Sequence, residues 1–142
     1  MNANETNLHE SKMIHQELSN KIIKAFYNVY NILGFGFLEK VYENALKFEL
    51  QRMGYKVEQQ QNIKVYFREK QVGDYFADLV VEDSIIVELK AAEALCEEHE
   101  AQLLNYLRAT TIELGLLFNF GKKPEFRRKI FTNDKKEIRV NS

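Results

Sequence analysis

Two carboxylates and one amine lie close together in the stretch Tyr75–Lys90, where a β-hairpin would bring them to one place. Alternate residues of a strand share a face, so Glu88 and Lys90 point the same way from the second strand. If the turn spans residues 82–84, Asp78 on the first strand lies directly opposite Glu88. Directly opposed residues have Cβ atoms roughly 5 Å apart. Two carboxylates at that separation repel each other unless one is protonated or a cation lies between them.

This pattern predicts a site for a hard divalent cation. Mg²⁺ or Mn²⁺ binds oxygen ligands, and Mg²⁺ is usually held by one or two carboxylates plus water. The prediction depends on the register of the hairpin, because a two-residue turn would pair Glu82 with Ile85 and place the two carboxylates on opposite faces. The alternative is chance, since 29% of the residues are charged and such a trio arises easily in a charged chain.

The elements that must position this hairpin follow from the apolar periodicity and the turn residues. The predicted helices cover residues 10–32, 38–53 and 97–110. The predicted strands cover residues 55–60, 63–68, 75–82, 85–91, 113–120 and 126–132, with a turn over residues 69–74. The last helix lies between two strands and makes a crossover, which indicates parallel or mixed pairing there. The sequence therefore predicts an α/β (α+β) fold in which helices flank a mixed central sheet.

Length and composition indicate a single domain over residues 1–142, with residues 1–9 as a flexible N-terminus. The N-terminus has neither a basic start nor an apolar run, and no stretch approaches the roughly 20 apolar residues of a membrane span. We therefore expect a cytoplasmic protein with no membrane partner. Phe35 and Phe37, together with the aromatic strands, leave open a homodimer face.

Positive charge is concentrated at the C-terminus. Residues 121–142 carry eight Lys or Arg against three Asp or Glu, although the net charge of the whole chain is −1. Such a segment suits contact with phosphates, because Lys and Arg neutralise the nucleic-acid backbone and release its counterions. The alternative is a solvated edge strand that its charges protect from aggregation.

Five blocks of the chain occur in a recognisable order. They are Gly36-Phe-Leu-Glu39-Lys-Val-Tyr42, Ala77-Asp78, Glu88-Leu89-Lys90, Gln102-Leu-Leu-Asn-Tyr106 and Leu114-Gly-Leu-Leu-Phe-Asn-Phe-Gly121. Together they resemble the GxxExxY protein family, a branch of the PD-(D/E)XK nuclease superfamily. The resemblance covers roughly residues 14–132 and implies a restriction-endonuclease-like core. One departure is that Ala77 stands where the superfamily motif has Pro.

The resemblance also implies roles for the matching residues. Asp78 and Glu88 match the metal ligands, and the Leu89 carbonyl could add a third oxygen. Glu39 matches an acid that completes the metal shell. Lys90 matches the lysine that orients or activates the attacking water.

Three further matches carry weaker implications. Gln102 matches a glutamine that supports the metal ligands or faces a phosphate, whereas Tyr42 and Tyr106 match positions of undefined role. Each has a structural alternative: Tyr42 as a core residue, and Gln102 and Tyr106 as buried, hydrogen-bonded groups. Glu39 has one too, as an acid that stabilises the N-terminus of its helix.

The functional prediction is a metal-dependent nuclease that hydrolyses phosphodiester bonds in DNA or RNA, with Mg²⁺ or Mn²⁺ as its cofactor. Nucleic acid is then the expected partner. The alternative is a non-catalytic nucleic-acid-binding or regulatory module on the same fold, because a fold does not fix a function.

Overall fold

The computed structural model describes residues 3–136, with side chains described from residue 15 onward. The helices of this part are α1 (Ala3–Leu33), α2 (Glu39–Arg52), α3 (Glu97–Arg108) and a short 3₁₀ helix (Asn133–Lys135). The strands are β1 (Val57–Phe67), β2 (Lys70–Val81), β3 (Ile85–Lys90), β4 (Leu114–Asn119) and β5 (Glu125–Ile130). Helix α1 begins before the predicted residue 10, and residues 1, 2 and 137–142 lie outside the described residues.

The five strands form one mixed sheet in the order β1-β2-β3-β4-β5. All neighbouring pairs are antiparallel except β3 and β4, which are parallel and joined by α3. This confirms the predicted crossover. Both parallel strands are buried along almost their whole length, as expected for strands covered on both faces.

Helices cover the sheet on both faces. Helix α1 presents Ile22, Phe26 and Val29 to the first face, where the ring of Phe26 stacks on Phe118 with centroids 4.4 Å apart. Helix α2 packs on the same face, whereas α3 covers the opposite face with Leu103 and Leu107. The chain therefore has the predicted α+β architecture. None of the helices in residues 3–136 combines the length and apolar character needed to cross a membrane.

The turn between β2 and β3 has the length that the predicted metal site requires. Val81 pairs with Ile85, so residues 82–84 form the turn. Glu82 and Asp83 both adopt positive φ, at 52° and 53°, a conformation that Asp tolerates better than most residues. The predicted register is confirmed.

The hairpin formed by β1 and β2 differs from the prediction. The sequence predicted separate strands over residues 55–60 and 63–68, but both lie largely within the single strand β1, which pairs with β2 in one register as far as Val65 and shifts register between Val65 and Tyr66. The turn is only Arg68-Glu69, and Gly73 lies inside β2 opposite Val65 rather than in a turn. The prediction was wrong because Gly73 was taken as a turn signal, whereas a strand glycine also permits close packing of a neighbouring ring.

Candidate active site

Asp78 and Glu88 lie where β2 and β3 stop pairing with each other. The last ladder pair before them is Leu79 with Val87. Beyond it, the backbone N–H of Asp78 donates to Glu88 Oε2 at 2.6 Å, and the N–H of Leu89 donates to Asp78 Oδ2 at 2.9 Å. The two carboxylates thus accept bonds from backbone groups of the facing strand, which fixes both side chains against the sheet.

Burial makes this carboxylate pair hard to ionise. Glu88 is only 4% exposed, and burial, reinforced by the charge of Asp78, raises the pKa of Glu88 to about 9. Burial also raises the pKa of Asp78, and the charge of Glu43 adds to this effect. A cation between the two carboxylates would favour their charged forms.

A cavity of about 370 Å³ opens over the pair. Helices α2 and α3 close it from two sides, so the cavity brings together groups that are distant in the sequence. Lys90 lines it two residues after Glu88, on the same face of β3. The predicted site residues in its lining are Glu39, Asp78, Glu88, Leu89, Lys90, Gln102 and Tyr106.

Glu43 also lines this cavity, although the sequence analysis did not select it. Its carboxylate is buried, at 4% exposure, and accepts hydrogen bonds from Gln59 Nε2 at 2.6 Å and from Lys40 Nζ at 3.0 Å. Glu43 lies one helical turn after Glu39, so the i, i+4 spacing of two acids on α2 was a signal that could have found it.

Gln60 is a second cavity residue that the sequence analysis did not select. Its amide donates to both carboxylate oxygens of Glu43, at 3.1 and 3.0 Å, and to Asp78 Oδ1 at 3.3 Å. Its backbone has φ of 54° in the middle of β1, a conformation that costs a non-glycine residue about 1–2 kcal/mol. Strained backbone of this kind clusters at functional sites.

Comparison with known proteins assigns the chain to a family. The sequence profile of the PD-(D/E)XK nuclease superfamily matches residues 16–129, a span that contains every residue of the cavity. This chain belongs to the PD-(D/E)XK nuclease superfamily. No curated protein has significant sequence similarity to it.

A solved structure supports the fold of this superfamily member. The crystal structure of SSO0001 superposes with a TM-score of 0.54 at 17% sequence identity, over 66% of this chain and 50% of that one. The chain therefore spans about half the length of SSO0001. At this level of identity the likeness concerns the fold alone, and it agrees with the predicted restriction-endonuclease-like architecture.

Tyr42 lies outside the cavity of this PD-(D/E)XK protein. Its ring is fully buried and stacks on Phe120 with centroids 4.4 Å apart. Its hydroxyl donates to the Gly34 carbonyl at 2.6 Å and accepts from the Phe37 N–H at 3.2 Å. This placement favours the core alternative, in which Tyr42 holds the loop that leads into α2.

Gln102 and Tyr106 form a pair on α3 at the cavity wall. They lie one helical turn apart, and the Gln102 amide donates to the Tyr106 hydroxyl at 2.8 Å. Burial raises the pKa of Tyr106, and the nearby charge of Glu88 contributes to this shift. Both residues therefore face the carboxylates while also being hydrogen-bonded to each other. A role in the site and a structural role as hydrogen-bonded residues are thus compatible for this pair.

The side chains around the cavity are chemically suited to bind a hard cation. The acidic side chains around the cavity offer only oxygen donors, which is the ligand type of Mg²⁺ and Mn²⁺. Among the described side chains, those of residues 15–136, no group of three or more Asp, Glu, His or Cys is, however, arranged to hold a metal ion. A cation would thus depend on the Asp78–Glu88 pair, with water or substrate oxygens as the remaining ligands.

Proposed function

We propose that this protein is a metal-dependent nuclease that hydrolyses phosphodiester bonds in DNA or RNA, and that it belongs to the GxxExxY branch of its superfamily. The observation that carries the proposal is the buried Asp78–Glu88 pair, held by reciprocal backbone hydrogen bonds in the cavity that Lys90 also lines. Family membership supports the same chemistry.

Asp78 and Glu88 would bind Mg²⁺ or Mn²⁺, with the Leu89 carbonyl as a further oxygen donor. Such an ion would polarise a phosphate oxygen and lower the pKa of a bound water. Glu39 and Glu43 would add negative charge beside the pair and accept hydrogen bonds from waters around it. The backbone N–H groups of Asp78 and Leu89 orient the two carboxylates before any ligand arrives, which reduces the reorganisation that binding requires.

Lys90 would act on the water or the phosphate. Its position on β3 aims the side chain at the face that carries Glu88. An ammonium there can donate a hydrogen bond to the attacking water and fix its orientation. It can also stabilise the negative charge that develops on the phosphate oxygens in the transition state.

The test is cleavage of labelled single-stranded and duplex oligonucleotides with Mg²⁺ or Mn²⁺. We expect Asp78→Asn and Lys90→Met to lower the rate by about 100-fold or more, because the first removes a proposed metal ligand and the second removes the ammonium that would act on the water or the phosphate. Matched controls are Asp83→Asn in the exposed turn and Lys64→Met on the exposed side of β1. Full activity in Asp78→Asn or Lys90→Met would contradict the proposed mechanism.

A second candidate function is a non-catalytic module that binds nucleic acid. The favouring observation is that among the side chains of residues 15–136 no group of three or more Asp, Glu, His or Cys is arranged to hold a metal ion. Titration calorimetry of Mn²⁺ into the wild type and into Asp78→Asn separates the two candidates. Binding that the substitution abolishes supports the nuclease, whereas nucleic-acid binding without Mn²⁺ uptake or turnover supports the module.

A homodimer remains a further proposal. Phe35 is 55% exposed and Phe37 48% exposed, in the loop that precedes α2. Rings that are accessible in this way can be covered by a second copy of the chain. Light scattering over a range of protein concentrations, on the wild type and on Phe35→Ser, tests this association.

A further inference from the structure

A second cavity, of about 510 Å³, adjoins the carboxylate cavity. It lies between the β1–β2 hairpin and α3, and it shares Gln102 and Tyr106 with the first cavity. Its volume falls within the range of about 300–1,000 Å³ that is typical of small-molecule pockets. A ligand could therefore occupy both cavities at once, with Gln102 and Tyr106 at the boundary.

Tyr75 supplies an accessible aromatic surface in the second cavity. Its side chain leans over Gly73, where an added Cβ would lie 2.9 Å from Tyr75 Cε2. Its ring centroid lies 5.8 Å from that of Tyr106, yet Tyr75 remains 49% exposed. Gly73 and Tyr106 thus hold the ring in place while leaving much of it open to a ligand.

The charges in the lining distinguish the two cavities. The second cavity carries one acid, Glu98, and one base, Arg108, among otherwise neutral residues. Such a lining suits a neutral, flat, largely apolar group rather than a phosphate. The amides of Gln102 and Asn105 offer both hydrogen-bond donors and acceptors. The adjoining carboxylate cavity instead suits a cation and the phosphate that it binds.

We propose that the second cavity binds a nucleobase of the nucleotide next to the scissile phosphate, and that the substrate is therefore single-stranded. This inference rests on the proposed nuclease function. A base inside a duplex is paired and stacked, so it cannot enter a side pocket unless the enzyme first extrudes it. Bases of single strands are free to stack on aromatic side chains, which is how many proteins hold them.

Fluorescence anisotropy with labelled oligonucleotides tests the base pocket separately from cleavage. The protein carries Asp78→Asn, so that the probes stay intact, and the probes are a single strand and the duplex of the same sequence. Tyr75→Ala is expected to weaken single-strand binding by about tenfold or more, because one stacking contact is lost. The matched control Tyr75→Phe keeps the ring and is expected to bind as tightly as the parent protein.

A filling variant provides a second test that does not depend on Tyr75. Ala101 lines the cavity from the exposed side of α3, so Ala101→Phe is expected to fold normally and to weaken single-strand binding. Three outcomes would overturn the base pocket. The parent, Tyr75→Ala and Ala101→Phe could bind the single strand equally well, the parent could bind the duplex more tightly than the single strand, or it could fail to bind the single strand at all.

The same variants without Asp78→Asn separate failure of the pocket from failure of the nuclease. Wild-type cleavage that Tyr75→Ala leaves unchanged would overturn the pocket and leave the nuclease standing. Tyr75-dependent binding of single strands, with no cleavage by the wild type, would support the pocket and contradict the nuclease.

Discussion

The buried carboxyl groups of Asp78 and Glu88 destabilise the folded chain when they are ionised. Asp78 and Glu88 each accept a backbone hydrogen bond from the facing strand, which favours their charged forms. Burial acts in the opposite direction and dominates, because the pKa of each carboxyl is raised. A residue that destabilises its own fold when ionised is more easily explained by a ligand than by structural need.

The raised pKa of Glu88 makes the stability of the folded chain depend on pH. Glu88 titrates near 4.5 in the unfolded chain and at about 9 in the folded one, so between these values the folded state holds a proton that the unfolded state lacks. The free energy of unfolding therefore falls as the pH rises through this range. We expect Glu88→Gln to remove much of this fall, as measured by urea denaturation in EDTA at several pH values.

The control for this prediction is Glu58→Gln, which changes an exposed carboxyl on β1. It is expected to leave the pH profile of the wild type unchanged. A wild-type profile that matches the profile of Glu88→Gln would show that Glu88 ionises normally in the folded chain.

Sequence reasoning identified some site residues and not others for a physical reason. Asp78, Glu88 and Lys90 lie on one hairpin, so strand alternation and the length of one turn are enough to bring them together. The i, i+4 spacing places Glu43 on the same face of α2 as Glu39, but only the docking of α2 on the sheet brings that face to the cavity, and local spacing does not determine the docking. The position of Gln60 in the cavity depends on its positive φ, and residue propensities do not predict that conformation for a glutamine in a strand.

At the scale of the elements, β1 shows how a single residue can interrupt the regular pairing of a strand. The stretch Glu58–Asn62 is a run of five polar residues without apolar alternation, and the gap between the predicted strands over residues 55–60 and 63–68 falls within it. The break proves to be one residue, Gln60, and the strand resumes its pairing with β2 on both sides of it. The long β1–β2 hairpin therefore stays one unit and forms a wall of both cavities.

The backbone of Gln60 gives a prediction at this scale. Gln60→Gly and Gln60→Ala both remove the amide that donates to Glu43 and Asp78, but only Gly adopts positive φ without a steric penalty. We expect Gln60→Gly to be more stable than Gln60→Ala by about 1 kcal/mol, as measured by thermal or urea unfolding. Equal stability of the two variants would show that the strand relaxes to an ordinary conformation. Because both variants lack the amide, the comparison isolates the backbone term.

For the molecule as a whole, the C-terminal positive charge is partly used inside the fold. Arg128 donates to Ser19 Oγ of α1 at 2.5 Å, and Lys129 forms an ion pair with Glu100 of α3. Lys136 donates to two backbone carbonyls after α3. These contacts join β5 and the segment after it to both helical layers, so these three charges of the basic segment serve the structure.

Lys122 and Lys123 differ from these residues in their position. They are exposed in the loop that follows β4, whose last residue, Asn119, pairs in parallel register with Lys90. The loop therefore leaves the sheet beside the strand end that carries the candidate catalytic lysine. We therefore expect a strand of nucleic acid bound at the carboxylate cavity to pass close to these two charges.

The salt dependence of nucleic-acid binding tests this division between structural and phosphate-binding charges. Each phosphate contact contributes about 0.7 to the slope of log K against log salt for a single strand. The double variant Lys122→Gln, Lys123→Gln is thus expected to lower that slope by about 1.4, as measured by anisotropy at several KCl concentrations in the Asp78→Asn background. The matched variant Arg128→Gln is expected to leave the slope unchanged and to lower stability, because it removes the contact with Ser19. If Arg128→Gln instead lowered the slope and the double variant did not, β5 rather than the β4–β5 loop would carry the phosphate contacts.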